Sequence, residues 1–433
     1  MDSRTSGTRT CRLAYIAPSM KALVYHITPA RWMLCKAAAL FSNRAYYGAI
    51  SGLKLVDHPT PTLPGPSWVR LKTLLGGICG TDLGMIAQRT HPATILRGYA
   101  SFPAVLGHEN VAVIDDLGGS VTGWQKGQRV CVEPAIGCLG RGIDPPCAMC
   151  AAGKTSLCET IGNDAWPSRA MVGLNATTGG SWAEHFVAHA SQLHAVPDEI
   201  SDAVAVLIDP IASAAHAVLR RVPRPGERIL VNGSGIIALG VIGSIRALRH
   251  DNDITVVVRH AFQADLARKM GATHALMNPR GSRSDEQYDS VARHVGGRRI
   301  PGRFGNQGLI GGFDLTYDCT GTGRGMTDAM KWTRSRGTMV AVGTSGITLL
   351  DTTPLWLDEL EIIGANGRQV ETADGRTVHT YELVFDWLRA SRLDLSALPV
   401  RQYALADYRT TFAELLGRSR HPFVKAVFDL ARA

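Results

Sequence analysis

The stretch Val231-Asn232-Gly233-Ser234-Gly235-Ile236-Ile237-Ala238 decides how the second half of this chain is read. A buried-strand run, Arg228–Val231, leads into it, and helical spacing over Gly235–Arg249 follows. Gly233 allows the tight turn. Gly235 lets a pyrophosphate approach the helix N-terminus, where free N–H groups and the helix dipole favour anions, and Ala238 takes the third, packing position. Placed between strand and helix, this turn reads as a dinucleotide site through Gly233, Ser234, Gly235, Ile236 and Ile237; an ordinary βα turn is the alternative.

The pattern continues outward. Ala203–Arg221 is helical, Ile254–Val258 then Ala264–Gly271 repeat strand and helix, and Phe313–Cys319, Met326–Ser335 and Thr338–Gly343 carry it on. Such alternation predicts a doubly wound parallel sheet. The tip of the next strand reads Val257-Val258-Arg259-His260, without the carboxylate that would bind the ribose hydroxyls of NAD. An arriving guanidinium fits a 2′-phosphate, so NADP is favoured over NAD, the alternative being a merely exposed Arg259. The Arg/Gly-rich segment Gly281–Gly312 reads as a flexible surface excursion. A helix over Tyr381–Leu393 and a strand-like Phe423–Leu430 do not extend the alternation and are expected to return to the first domain.

Before Asp202 the texture differs. From Met20 to about Pro197, short runs such as Val69–Leu75, Val111–Asp115, Arg129–Glu133 and Ala183–Ala188 stand between Gly/Pro turns, predicting a compact, mostly β unit. Within it, Thr28–Gly52 carries a short amphipathic helix, Pro29 to Phe41, read as partner-facing or pocket-capping. Residues 1–19 are polar with Arg4, Arg9 and Arg12 and no apolar core, hence not a secretory signal but a disordered extension or a misplaced start. No apolar run reaches transmembrane length.

Three constellations carry chemistry. In Gly76-Gly77-Ile78-Cys79-Gly80-Thr81-Asp82 a thiol lies between glycines at a strand-to-loop turn; alone it is a buried thiol or a ligand. Gly107-His108-Glu109 offers imidazole and carboxylate, which with a thiolate make the mixed donor set that zinc accepts. Asp209-Pro210 places a carboxylate at a helix start, an N-cap or something more. Cys138, Cys147, Cys150 and Cys158 form C-x8-C-x2-C-x7-C, a closed sulfur tetrahedron suited to structural zinc. Cys138 is the less secure member and Cys131 competes for its place, although Cys131 sits in an apparent strand. Disulfides are the alternative; nine cysteines with this clustering suit metal ligation in a reducing cytoplasm.

A length of 433 residues suggests two domains, and 45% apolar with 19% charged residues is ordinary for a globular protein. The net charge of +9 lacks a dense basic run interleaved with aromatics, so no nucleic-acid partner is expected, nor a membrane.

Taken in order, Gly77–Asp82, Gly107-His108-Glu109, the cysteine lobe, Gly179-Gly180-Ser181-Trp182-Ala183-Glu184, the glycine turn, Asp318-Cys319-Thr320-Gly321 and Gly337–Gly343 resemble the zinc-dependent medium-chain dehydrogenase/reductase family, the alcohol, polyol, sugar and threonine dehydrogenases. The resemblance runs from Met20 to the end of the chain. It implies an α/β plus β architecture: a GroES-like catalytic domain over 20–208 with the zinc lobe at 138–158, a Rossmann domain over 209–365, and a return to the catalytic domain over 366–433. It implies that Cys79 and His108 ligate catalytic zinc, with Glu109 as ligand or exchangeable partner and Asp209 as a further ligand. Thr81 would relay the substrate proton and Asp82 orient His108, while Thr320, Val342 and Gly343 would join the cofactor contacts. The expected reaction is reversible hydride transfer between an alcohol and NADP or NAD, in a homodimer or homotetramer, with polyols, sugars or amino alcohols favoured over simple alcohols. The family's usual Gly is replaced at Ala112 and Ala238, and the gap between the first two lobe cysteines is long. A zinc-free quinone or enone reductase of the same fold and a non-catalytic nucleotide-binding protein are the competing readings; Cys79 with His108 and Glu109 speaks against both.

Overall fold

A computed structural model describes residues 19–162, 171–279, 281–344, 346–417 and 422–432. The expected N-terminal extension lies outside these residues up to position 18, and Ser19 already opens the first strand, Ser19–Tyr25.

The nucleotide-type unit is a six-stranded, all-parallel sheet. Its order is His274–Met277, Ile254–Val258, Ile229–Asn232, Phe313–Asp318, Thr333–Ala341 and Glu361–Gly364. Strand order reverses between Ile229–Asn232 and Phe313–Asp318, the place where doubly wound sheets open a ligand crevice. Ile254–Val258 is buried at every position, as expected for a β-branched strand covered by helices on both faces.

The other unit is mostly antiparallel. Trp68–Gly77 pairs with Asn110–Leu117, His185–His189 and Lys425–Asp429, and the sheet extends to Arg129–Val132, Leu193–Ala195 and Val400–Ala404. The C-terminal strand therefore does return to the first unit. Between the two units, the helix Thr380–Arg389 packs on Ile208–Arg220. A smaller sheet joins Leu53–Pro59, Ser19–Tyr25 and Ala104–Val105. The amphipathic helix spans Pro29–Ala38, started by Pro29 and by the Thr28 hydroxyl, which accepts from the Arg31 amide at 3.3 Å.

Two local expectations are corrected. The helix over 203–221 is broken into Asp202–Ala205 and Ile208–Arg220. Pro210 has no N–H to give the Val206 carbonyl, and its ring crowds that turn. The segment Gly281–Gly312 is not a structureless excursion: it forms the helix Ser284–Val295 and a hairpin of Arg298–Pro301 with Gln307–Ile310. Tyr288 and Val291 anchor it in a core with Phe313 and Trp332, and the Tyr288 hydroxyl donates to Asp328 at 2.8 Å. Among the described residues no helix is long and apolar enough to cross a membrane.

Candidate active site and metal centres

The register of two strands assembles the first centre. Gly76 pairs with Asn110, and the Gly77 amide donates to the Glu109 carbonyl at 2.8 Å. Cys79, just past the end of one strand, is thereby set beside His108, just before the start of the other. The approach is close: a Cβ on Gly77 would lie 2.4 Å from the Glu109 carboxylate, and one on Gly107, at φ +95°, would lie 2.4 Å from the Trp182 ring. Cys79, His108 and Glu109 end with their donor atoms all within 4.8 Å of one another.

Cys79 is the N-cap of the helix Gly80–Ile86, and its sulfur accepts from the Thr81 amide at 3.5 Å. The Asp82 carboxylate closes the capping box by accepting from the Cys79 amide at 2.9 Å, while its other oxygen faces His108 Nδ1 at 3.6 Å. One fully buried carboxylate thus serves both the helix start and the imidazole. The Thr81 hydroxyl stands 3.6 Å from the Cys79 sulfur. Burial alone would hold the His108 pKa down, but Asp82 and Cys79 outweigh it and push it up to about 10. Thiol, imidazole and carboxylate donors within reach of one another are the set that suits a divalent cation of zinc's preferences.

Two features escaped the sequence. The buried Lys425 ammonium pairs with the Glu109 carboxylate, which explains how that charge is tolerated at 1% exposure. Asp209 was expected as a further zinc ligand, and the structure does not bring it into the Cys79 group. Nor is it an N-cap, since Leu207 holds that place without a side-chain bond. Its Oδ1 instead accepts from the Tyr381 hydroxyl at 2.6 Å and lies 2.7 Å from Arg368 Nη2. Arg368 also approaches Glu133 at 3.9 Å, and burial raises the Glu133 pKa to about 7 in spite of the guanidinium. No periodicity or spacing links these four positions; Gly367 ahead of Arg368, at φ +74°, was the one local signal that this backbone is specially placed.

The second centre is the cysteine lobe. Cys138, Cys147, Cys150 and Cys158 also lie mutually within 4.8 Å, so Cys138 and not Cys131 is the fourth member. Amide-to-sulfur bonds wrap it: Cys147 N to Cys138 at 3.3 Å, Cys138 N to Cys150 at 3.4 Å, Cys150 N and Glu159 N to Cys147 at 3.5 Å each. Against the effect of burial, such bonds draw the Cys147 pKa down to about 6, whereas burial first of all pushes the Cys150 and Cys158 thiols up. No disulfide joins the described cysteines. Cys131 is buried in its strand, donating to the Ala205 carbonyl at 3.4 Å.

The glycine turn stands at the strand-order reversal. Gly233 has φ +126°, and Gly235 caps the helix Ile236–Ala247 with no side-chain bond. A Cβ on Gly235 would meet nothing within 4 Å, which leaves the helix N-terminus open to a phosphate. Ser234, Ile236 and Ile237 share this turn. Arg259 is exposed beyond Ile254–Val258 and has no carboxylate partner among the described residues. Thr320 donates to Asp318 at 2.8 Å. The Val342 and Gly343 amides both donate to the Asp318 carbonyl, at 3.0 and 2.9 Å, so any cofactor contact from this pair comes from its carbonyl or side-chain side.

Comparison with known proteins agrees with this architecture. The alcohol dehydrogenase GroES-like domain model matches residues 65–198, and the zinc-binding dehydrogenase model matches residues 238–387. The chain is 30% identical over 375 residues to L-threonine 3-dehydrogenase of Deinococcus deserti, covering 84% of this chain and 93% of that one. Its fold is similar to 2R,3R-butanediol dehydrogenase from Bacillus subtilis (TM-score 0.66, 21% identity, 95% and 99% of the two chains). It is also similar to acetophenone reductase from Geotrichum candidum in complex with NAD (TM-score 0.68, 20% identity, 95% and 97%). A GroES-like unit, a Rossmann sheet and these centres together define an oxidoreductase. The chain belongs to the zinc-dependent medium-chain dehydrogenase/reductase family.

Proposed function

We propose that this protein oxidises a hydroxyl group of a small polar alcohol to the ketone or aldehyde, reversibly, with zinc at Cys79, His108 and Glu109 and with NADP preferred to NAD. The observation that carries the reading is the convergence of those three donors beside the Thr81 hydroxyl. Zinc, when bound, supplies a Lewis acid that polarises the substrate oxygen. The nicotinamide, when bound, supplies the hydride acceptor. Thr81 takes the proton that leaves the substrate hydroxyl and hands it toward solvent. Asp82 holds the His108 ring, and Lys425 balances Glu109 so that the site is not left with an unpaired buried charge. The Cys138 lobe holds a second, structural zinc. The name of the threonine dehydrogenase relative supports hydroxy-amino acids, with polyols next. Unpaired cysteines support work in the cytoplasm; a homodimer or homotetramer is part of the same proposal.

The test is metal analysis combined with a panel of L-threonine, 2,3-butanediol, sugar alcohols and ethanol under NAD and NADP. Two zincs per chain and turnover that falls at least a hundredfold in Cys79→Ser are expected, about 2.7 kcal/mol of barrier. Full turnover in Cys79→Ser would overturn the catalytic assignment.

A further inference from the structure

The insertion Thr28–Gly52 contributes Arg31 and Gly52 to a cavity whose lining includes no residue of either metal centre or of the glycine turn. Strands Ser19–Tyr25 and Leu53–Pro59 pair with Met20 opposite His58, Ala22 opposite Val56 and Val24 opposite Lys54, so these side chains share one face of the sheet. Over that face lies a cavity of about 370 Å³, within the range of small-molecule sites. Met20, Val24, Val56 and Val105 make its floor apolar. Its charged lining is one-signed, Arg31 from the inserted helix and Lys54 from the strand, with the neutral polar groups His26, His58 and Thr177 beside them. No carboxylate lines it among the described residues. Asp57, the acid of that strand, pairs with Lys21 at 2.7 Å. Neither Arg31 nor Lys54 has a carboxylate partner among the described residues, and Lys54 Nζ rests on the Ala49 carbonyl at 2.5 Å. Burial and then repulsion from Arg31 and Arg409 lower the Lys54 pKa, as expected where cations face one another unneutralised.

We propose that this cavity is a second small-molecule site, which takes an organic anion with an apolar body, such as a medium-chain monocarboxylate. The carboxylate supplies the missing negative charge between Arg31 and Lys54, and the chain covers the apolar floor. None of Cys79, His108, Glu109 or residues 233–238 lines the cavity, so the site is independent of the proposed chemistry.

Calorimetric titration of the full-length, zinc-loaded chain with octanoate tests it. One equivalent is expected to bind, with affinity falling about tenfold in Arg31→Gln and again in Lys54→Gln, the loss of one charge-assisted contact each. Lys54→Arg is expected to keep affinity, and so is Cys79→Ser. Arg31 is exposed on its helix, so the fold does not depend on it and the single variant suffices if the Lys54 change unfolds the chain. Absence of octanoate binding, affinity unchanged in Arg31→Gln, or binding lost in Cys79→Ser would overturn the site.

Discussion

Asp209 and Arg368 form a buried ion pair, Nη2 lying 2.7 Å from Oδ1, although one residue precedes the first strand of the parallel sheet and the other follows its last. The guanidinium does not direct an N–H along a good hydrogen bond there, so the attraction is Coulombic, and Tyr381 supplies the directed bond at 2.6 Å. The pair fastens the helix that carries Asp209 to the segment leaving the sheet.

Arg368→Ala leaves Asp209 and Glu133 buried without their cation. A loss of about 3–5 kcal/mol is expected, against about 1–3 for Tyr381→Phe. Urea unfolding measures both. A loss below that of Tyr381→Phe would show the ion pair to be dispensable.

Asp209→Asn separates structure from ligation. Zinc content at the Cys79 centre is expected to stay at one equivalent while stability drops, because the carboxylate is engaged by Arg368 and Tyr381 and stands outside the Cys79 group. Loss of that zinc equivalent would return Asp209 to the ligand set.

Cys147→Ser opens the cysteine lobe, whose four sulfurs lie within 4.8 Å of one another. Metal analysis is expected to fall from two zincs to one, with a lower thermal midpoint, since structural zinc contributes folding free energy directly. Two zincs retained would refute the structural centre.

His379 gives a pH dependence. It is half-buried and stacks on His194, ring centroids 4.4 Å apart, and its pKa lies well below the ordinary 6.5 through loss of solvent first and then the neighbouring His194 and the Arg368 guanidinium. A depressed folded pKa contributes stability that is complete above the unfolded value and lost as pH falls below it. The stability of the wild type relative to His379→Phe is therefore expected to decline below pH 6.5, by up to about 1.4 kcal/mol per pH unit. Urea midpoints at pH 8 and pH 5.5 check it; a constant difference contradicts the assignment.

Arg259→Asp is expected to raise the KM for NADP roughly tenfold to a hundredfold and to leave NAD nearly unaffected, the worth of a charge-assisted contact to a phosphate. Steady-state kinetics with both dinucleotides decides; equal changes would remove the 2′-phosphate argument.

Local order was written in the chain itself. Strand, Gly233 to Ala238 and helix follow one another within a few residues, so their physics is short-range, and the parallel sheet followed from repeating that pattern. Cys147 and Cys150, with two residues between them, were similarly legible. Cys79 and His108 could be paired by donor chemistry and family likeness but not by spacing; the reason they meet is the register of Gly76 against Asn110, a long-range fact. Arg368, Tyr381 and Lys425 were invisible beforehand, because a buried charge is placed by what neutralises it and the neutralising group comes from a distant segment. Gly281–Gly312 was misread for the same reason: its polar composition hid Tyr288 and Val291, whose burial against Phe313 and Trp332 holds it folded. Sequence alone determined the order of elements, the glycine turn and the donor types. Tertiary packing decided which donors converge, which carboxylates are held in ion pairs, and that Arg31 and Lys54 face one cavity, because those depend on contacts between residues that only the folded sheets bring within a few ångströms.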